Sequence, residues 1–285
     1  MILSTQTDTT ARTFGHLQAV RMIAEAGFDA IDLSMFDEPC NACFFEDGFE
    51  HYVQAIKCQA KECGVYFNQA HAPFPTLKDG DAVFNNKRFA QVKRAVEIAG
   101  ILEIKSIVVH PVFFSKQLKE NNLAMYNSLL PVAKSAGVKI ALENMWGWDD
   151  RRRTITKNVC SDADSLADYA DALDPAWFTV CLDIGHIGLV GEYEKETILK
   201  LGAKRLTCVH IHDNDYRNDS HTAPFMGSLP WEEIAQGFAE IGYAGDLTLE
   251  ADNFLKPLPS ALYPAALRFM HDAGRELIRM IEEKK

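Results

Sequence analysis

The sequence predicts one (β/α)8 barrel, a TIM barrel, across residues 1–285, and three observations carry that reading. A unit made of an amphipathic stretch, a glycine and a short β-rich run recurs along the chain. No linker or low-complexity segment interrupts the series. The first strand–helix junction lacks the glycine-rich fingerprint of an open doubly wound sheet, the runner-up architecture. The length also fits, because such barrels commonly run ~250 residues as one unit.

ILSTQT reads as the first strand. Five further strands close the runs IAEAGFDAIDLSM, AKECGVYFNQA, AKSAGVKIALEN, KLGAKRLTCVHIHD and AEIGYAGDLTLEAD, and SIVVHP and FTVCLDIGH complete eight. In each glycine-bearing run the Gly is the expected left-handed C-cap, after which the chain turns directly into a strand. Strand centres fall roughly 28 to 40 residues apart, the spacing of β-loop-α-loop units. LQAVRMIAEA, NKRFAQVKRAVEIAG, LAMYNSLLPVAKSAG, SLADYADAL and WEEIAQGFAEI carry apolar residues at i, i+3 and i+4 and fill the gaps as helices. A last helix runs from about Ser260 into the charged segment RMIEEKK.

Hydrophobic residues make up 47% and charged residues 24%, the mix of an ordinary globular protein. A chain of this size buries a core without disulfides or structural metal, so a bound metal is expected to serve chemistry. The seven cysteines are scattered, and Cys40 and Cys43 have no second pair or histidine partner at zinc-site spacing, so they read as reduced loop thiols. MILSTQTDTTARTFGH has no basic segment leading into an apolar run, and no stretch approaches the ~20 apolar residues that span a bilayer. The expected compartment is cytoplasmic, with no membrane partner. A formal net charge of −11 argues against a nucleic-acid partner, which calls for a basic face.

In such a barrel the active site lies at the C-terminal strand ends. There the sequence places Asn68-Gln69-Ala70-His71, His110-Pro111, Glu143-Asn144, Asp183 with His186, His210 and His212 with Asp213, then Asp219-Ser220-His221 and Glu250. Six of the nine histidines fall in this set. Alternation along a strand puts Ala141 with Glu143, Cys181 with Asp183, His210 with His212 and Thr248 with Glu250 on the inner face. Leu142, Leu182, Ile211 and Leu249 then turn to the helices. Several carboxylates buried together are costly unless something neutralises them. A divalent cation does so, and carboxylates and neutral imidazoles are its ligands. A hydrogen-bonded strand-end side chain explains any one of these residues, but not Glu143, Asp183, His210 and Glu250 together.

Those residues, with HAPF, VVHP, ALEN, LDIGH, VHIHDN, D-x-H and TLE, resemble the xylose isomerase-like barrel superfamily over nearly the whole chain. That superfamily includes sugar (phosphate) isomerases and epimerases, inosose dehydratase-type lyases and endonuclease IV-type nucleases of abasic DNA. The resemblance implies one divalent metal on Glu143, Asp183, His210 and Glu250. The fuller nuclease pattern, with three metals, is also matched: His71 and His110 would join Glu143, while His186, Asp219 and His221 would hold another. The flanking residues lean to the isomerase side. Val112-Phe113-Phe114 stands where the nuclease pattern has Gly-Ser, Met145-Trp146-Gly147-Trp148 where it has a Gly-rich loop, and MGSLPW keeps only Gly227 of a Gly-x-Gly turn.

The expected function is therefore metal-dependent isomerisation or epimerisation of a ketose or related polyol through an enediolate. The metal, Mn, Zn, Co or Mg, would polarise the carbonyl. By resemblance Glu143 and Glu250 are ligands and the acid/base pair. His71, His110, His186, Trp146 and Arg217 are the expected substrate contacts. Phe74, Phe113, Trp146 and Trp148 suit a sugar face, and Arg151-Arg152-Arg153 and Arg217 either meet a phosphate or form solvated surface. The alternatives are hydrolysis of abasic DNA, an inosose dehydratase-type elimination, and a sugar-binding barrel without catalysis. The sequence leaves open whether the chain forms a homo-oligomer.

Overall fold

A computed structural model describes residues 1–36 and 38–285. In chain order the elements are β1 (Leu3–Gln6), α1 (Asp8–Phe14), α2 (His16–Ala26), β2 (Ala30–Ser34), α3 (Phe49–Glu62), β3 (Tyr66–His71), α4 (Ala82–Ile101), β4 (Ser106–Val108), α5 (Leu118–Ala136) and β5 (Lys139–Glu143). They continue as β6 (Trp146–Asp149), β7 (Thr154–Lys157), α6 (Ala163–Asp171), β8 (Phe178–Asp183), α7 (Ile184–Leu189), α8 (Glu194–Arg205), β9 (Leu206–Ile211), α9 (Trp231–Glu240), β10 (Leu247–Leu249) and α10 (Tyr263–Glu283). Strands β1, β2, β3, β4, β5, β8, β9 and β10 pair in that order and close on β1 as a parallel barrel. All eight are the strands read from the sequence.

The barrel divides its strand residues between two layers, as the period of two requires. Leu142, Leu182, Ile211 and Leu249 are fully buried in the large core shared with the helices. Val108, Ala141, Cys181 and Cys208 form a separate, smaller cluster inside the barrel. Ala141 and Cys181 sit one inward position below Glu143 and Asp183, so on that side the polar ring rests on an apolar layer, while Thr248 lies beneath Glu250. Register irregularities fall between Ile31 and Asp32 and between Val180 and Cys181, each just before an inward acidic residue or its neighbour.

Gly27 and Gly137 end α2 and α5 in the left-handed conformation expected of them. Gly202 does not: with φ 67° and ψ 159° it kinks α8, and one more turn precedes β9. The segment from Trp146 is a second departure. Read as a loop, it is the first arm of an antiparallel hairpin, β6–β7, standing over the strand ends between β5 and β8. Among the described residues no helix is long and apolar enough to cross a membrane.

Candidate metal centre

The strand ends deliver polar side chains to the barrel axis: Asp32 from β2, His71 from β3, Glu143 from β5, Asp183 from β8, His210 from β9, and Glu250 one residue past β10. His110 follows β4 by two residues. Nδ1 of His210 lies 2.7 Å from Oε1 of Glu143 and 3.0 Å from Oε2 of Glu250. Its other ring nitrogen faces the Gln69 amide at 2.5 Å, which is why Nδ1 turns to the carboxylates. His110 Nε2 is 2.8 Å from Glu143 Oε2, and His71 Nδ1 is 2.9 Å from Asp32 Oδ2. Donor atoms of Glu143, Asp183, His210 and Glu250 all lie within 4.8 Å of one another.

Whether these residues fit a cation is answered by what they leave unsatisfied. Asp183 Oδ2 and His71 Nε2 are buried without a hydrogen bond, and Glu143 Oε2 and Glu250 Oε2 meet only the ring nitrogens of His110 and His210. Three carboxylates buried together with an orphaned oxygen among them are expensive, and a shared cation lowers the cost. The electrostatics agree. Burial pushes Glu143 toward neutrality, yet His210 and His110 hold it well below the usual carboxylate range. Burial pulls His210 down, yet Glu143 and Glu250 hold it well above the usual imidazole range. The ring draws positive charge to itself.

A second cluster lies outward. LDIGH folds so that Asp183 caps α7, its Oδ1 accepting from the His186 backbone N–H at 2.8 Å, which swings the His186 ring over the barrel mouth. His221 Nε2 is 3.2 Å and His186 Nε2 3.5 Å from Asp219. His186 and His221 turn Nδ1 to the carbonyls of Asn144 and Glu250 at 2.8 and 2.7 Å, leaving Nε2 inward, the way metal-binding imidazoles are oriented. His212 stacks on His221 at 3.9 Å between centroids, and its Nε2 is 3.0 Å from Asp183 Oδ1. Burial opposes charge on His221, but Asp219 carries it up to about 10.

Above both clusters opens a cavity of about 420 Å³, walled by Phe36, Phe74, Phe113, Trp146, Trp148 and Asn158 and floored by His110, Glu143, His186, Asp219, His221 and Glu250. Asp183, His210 and His71 are fully buried beneath it. Trp146 is therefore brought to the expected site, as are His110 and His186. Arg217 is not: it stands exposed in the loop after β9, its backbone N–H on Asp215. Arg151, Arg152 and Arg153 are likewise exposed, in the turn of the β6–β7 hairpin. Sequence reasoning passed over Asp32, Phe36, Asn158 and any ligand role for His212. Strand parity with Ala30 and Ser34 was the available signal for Asp32; nothing local marks Phe36 or Asn158.

A closed parallel barrel whose strand ends converge carboxylates and imidazoles is the class of molecule this geometry defines. The chain belongs to the xylose isomerase-like TIM barrel family, which it matches over residues 20–273. An uncharacterised protein of Methanocaldococcus jannaschii is 26% identical over 198 residues, 64% of each chain, so the match spans just under two thirds of that relative. One of Mycobacterium leprae is 24% identical over 248 residues, 81% of this chain and 82% of its own. Among solved structures, a D-tagatose 3-epimerase-like protein superposes with a TM-score of 0.75 at 20% identity, covering 100% of this chain and 99% of its own. A D-psicose 3-epimerase with D-fructose gives 0.74 at 16%, covering 98% and 99%. The IOLI protein with a zinc atom gives 0.71 at 15%, covering 100% and 99%. At such identities the likeness is one of fold.

Proposed function

We propose that the protein is a divalent-metal-dependent isomerase or epimerase of a ketose or related polyol. The observation that carries this is the four-residue donor set Glu143, Asp183, His210 and Glu250, with Asp183 Oδ2 left without a partner, under an aromatic-walled cavity. An ion held there would act as a Lewis acid on negative charge developing at the substrate carbonyl. Glu143 and Glu250 move the proton. In the barrel wall β8 and β9 separate β5 from β10, so the two carboxylates approach from different sides. One takes the proton beside the carbonyl, and the other returns one from its own direction. Phe36, Phe74, Phe113 and Trp146 pack the carbon face and exclude water. His110 and His186 reach hydroxyls from the floor.

The epimerase neighbours support the substrate class, and the zinc-bound neighbour supports the cofactor. The test is proton exchange. Protein loaded separately with Mn, Co, Mg or Zn is incubated in D2O with D-tagatose, D-psicose or D-fructose, and deuterium beside the carbonyl is followed by NMR. Exchange that a chelator abolishes is expected. Its absence from every ketose, with cleavage of an abasic duplex instead, would transfer the reading to phosphodiester hydrolysis, which the outer cluster of His186, Asp219 and His221 would serve.

A further inference from the structure

The cavity does not end at Glu250. Past Glu250, His221 and Asp219 it continues into a recess of about 380 Å³, bounded by Gln6, Asp8, Arg12, Glu38 and Asp252. Each nitrogen of the Arg12 guanidinium has a carboxylate partner, Nε and Nη2 meeting Asp8 at 2.9 and 2.7 Å and Nη1 meeting Glu38 at 2.6 Å, which leaves the second N–H of each terminal nitrogen for a ligand. At its base Asp252 takes the Gln6 amide at 2.7 Å and the Thr9 backbone N–H at 2.5 Å. Glu250, 6% exposed, is wall to both recesses.

Beyond Phe36 and Phe74 this recess is polar, and among the described residues its cations are already matched, Arg12 by two carboxylates and His221 by Asp219. Among the described residues no lysine lines it. A phosphate on Arg12 would have to sit beside Asp8 and Glu38, which like charges resist. Hydroxyl groups face no such barrier. Carboxylate, guanidinium and amide edges present both acceptors and donors to a hydroxyl-bearing ligand. Each recess has the volume of a small-molecule site by itself.

We propose that the second recess is a subsite for a further neutral, polyhydroxylated unit. The substrate is then a glycosylated ketose or similarly extended polyol, not a free hexose or a sugar phosphate. This rests on the ketose reading of the site above. The aromatic recess packs one sugar, Glu250 faces the junction, and Arg12, Glu38 and Asp252 grip the hydroxyls of the second.

Three ketoses that differ only at O6 test it: D-fructose, 6-O-glucosyl-fructose (isomaltulose) and D-fructose 6-phosphate, each titrated calorimetrically into Mn-loaded protein. The glucosyl compound is expected to bind at least ~10-fold tighter than D-fructose, and the phosphate more weakly than D-fructose. Asp8→Asn and Glu38→Gln, singly and together, should erase the glucosyl advantage and admit the phosphate; if either variant misfolds, the wild-type ranking decides alone. Equal binding of the first two, tightest binding of the phosphate, or binding of none overturns the subsite. Deuterium exchange in the same samples keeps the two readings apart. Tight glucosyl binding without exchange upholds the subsite and removes the isomerase.

Discussion

The indole of Trp146 donates to Oδ2 of Asp219 at 2.9 Å, joining the β6–β7 hairpin to the outer cluster across a cavity both residues line. The bond leaves Oδ1 facing His221 at 3.2 Å and His212 at 3.9 Å. A partner that fixes a ligand's orientation commonly controls ~10–100-fold of metal affinity. Trp146→Phe keeps the aromatic wall and deletes the donor. It should weaken an outer ion by about that factor and leave the inner one in place, as read by metal content after dialysis against graded chelator. Equal retention of all metal in variant and wild type would separate Trp146 from the cluster.

Glu143→Gln and Glu250→Gln keep shape and remove the base. Each should lower deuterium exchange at least ~10²-fold, the scale of general acid–base assistance. Metal content, measured alongside, tells loss of the proton-transfer group from loss of the ion. Near-wild-type exchange in either variant would end its assignment.

Gly185 is a steric requirement of the outer cluster. A Cβ there would lie 2.0 Å from Cε1 of His212, with the rest of the ring close behind. Gly185→Ala must therefore push His212 off Asp183 and His221, at a cost of about 1–3 kcal/mol as overpacking. Urea unfolding should shift to lower midpoints. A variant as stable as wild type would mean the ring has somewhere else to go.

Away from the site, His16 makes the fold sensitive to acid. Asn41 Oδ1 at 2.9 Å takes the proton of Nε2, so Nδ1 accepts from the Tyr52 hydroxyl at 3.0 Å. Burial lowers the ring from 6.5 to about 4, against a weaker opposing pull from Asn41. Between those values the unfolded chain binds a proton that the folded one refuses, so stability falls as pH drops from about 6.5 toward 4. The full effect is roughly 3 kcal/mol. Unfolding free energies at pH 7.5 and pH 5 should converge less steeply in His16→Gln than in wild type, a comparison that cancels the acid response of the metal cluster. Identical pH slopes would show that His16 contributes none of it.

Several features of the site were legible because they are local. LDIGH contains its own fold: a strand, an Asp cap and a histidine three residues on, where the first helical turn carries it. Glu143 and His210 were readable from alternation with Ala141 and Cys208, small inward residues of the same strands. Asp32 obeys the same rule and was passed over, since one carboxylate in a strand has no motif around it. The hairpin escaped for a related reason. Its arms are four residues each, and only their pairing, Trp146 with Lys157 and Trp148 with Ile155, makes them strands.

By itself, the sequence determined the eight barrel strands, their inward faces and most of the donors at their ends, because periodicity and capping act over a few residues. Only the tertiary structure decided what those donors meet. Barrel closure sets β1 beside β10, so that Gln6 reaches Asp252, 246 positions along the chain. The same closure brings Arg12 and Glu38 to the rim that Glu250 lines. Contacts of such separation leave no periodic trace, since they are fixed by the curvature and register of the whole sheet.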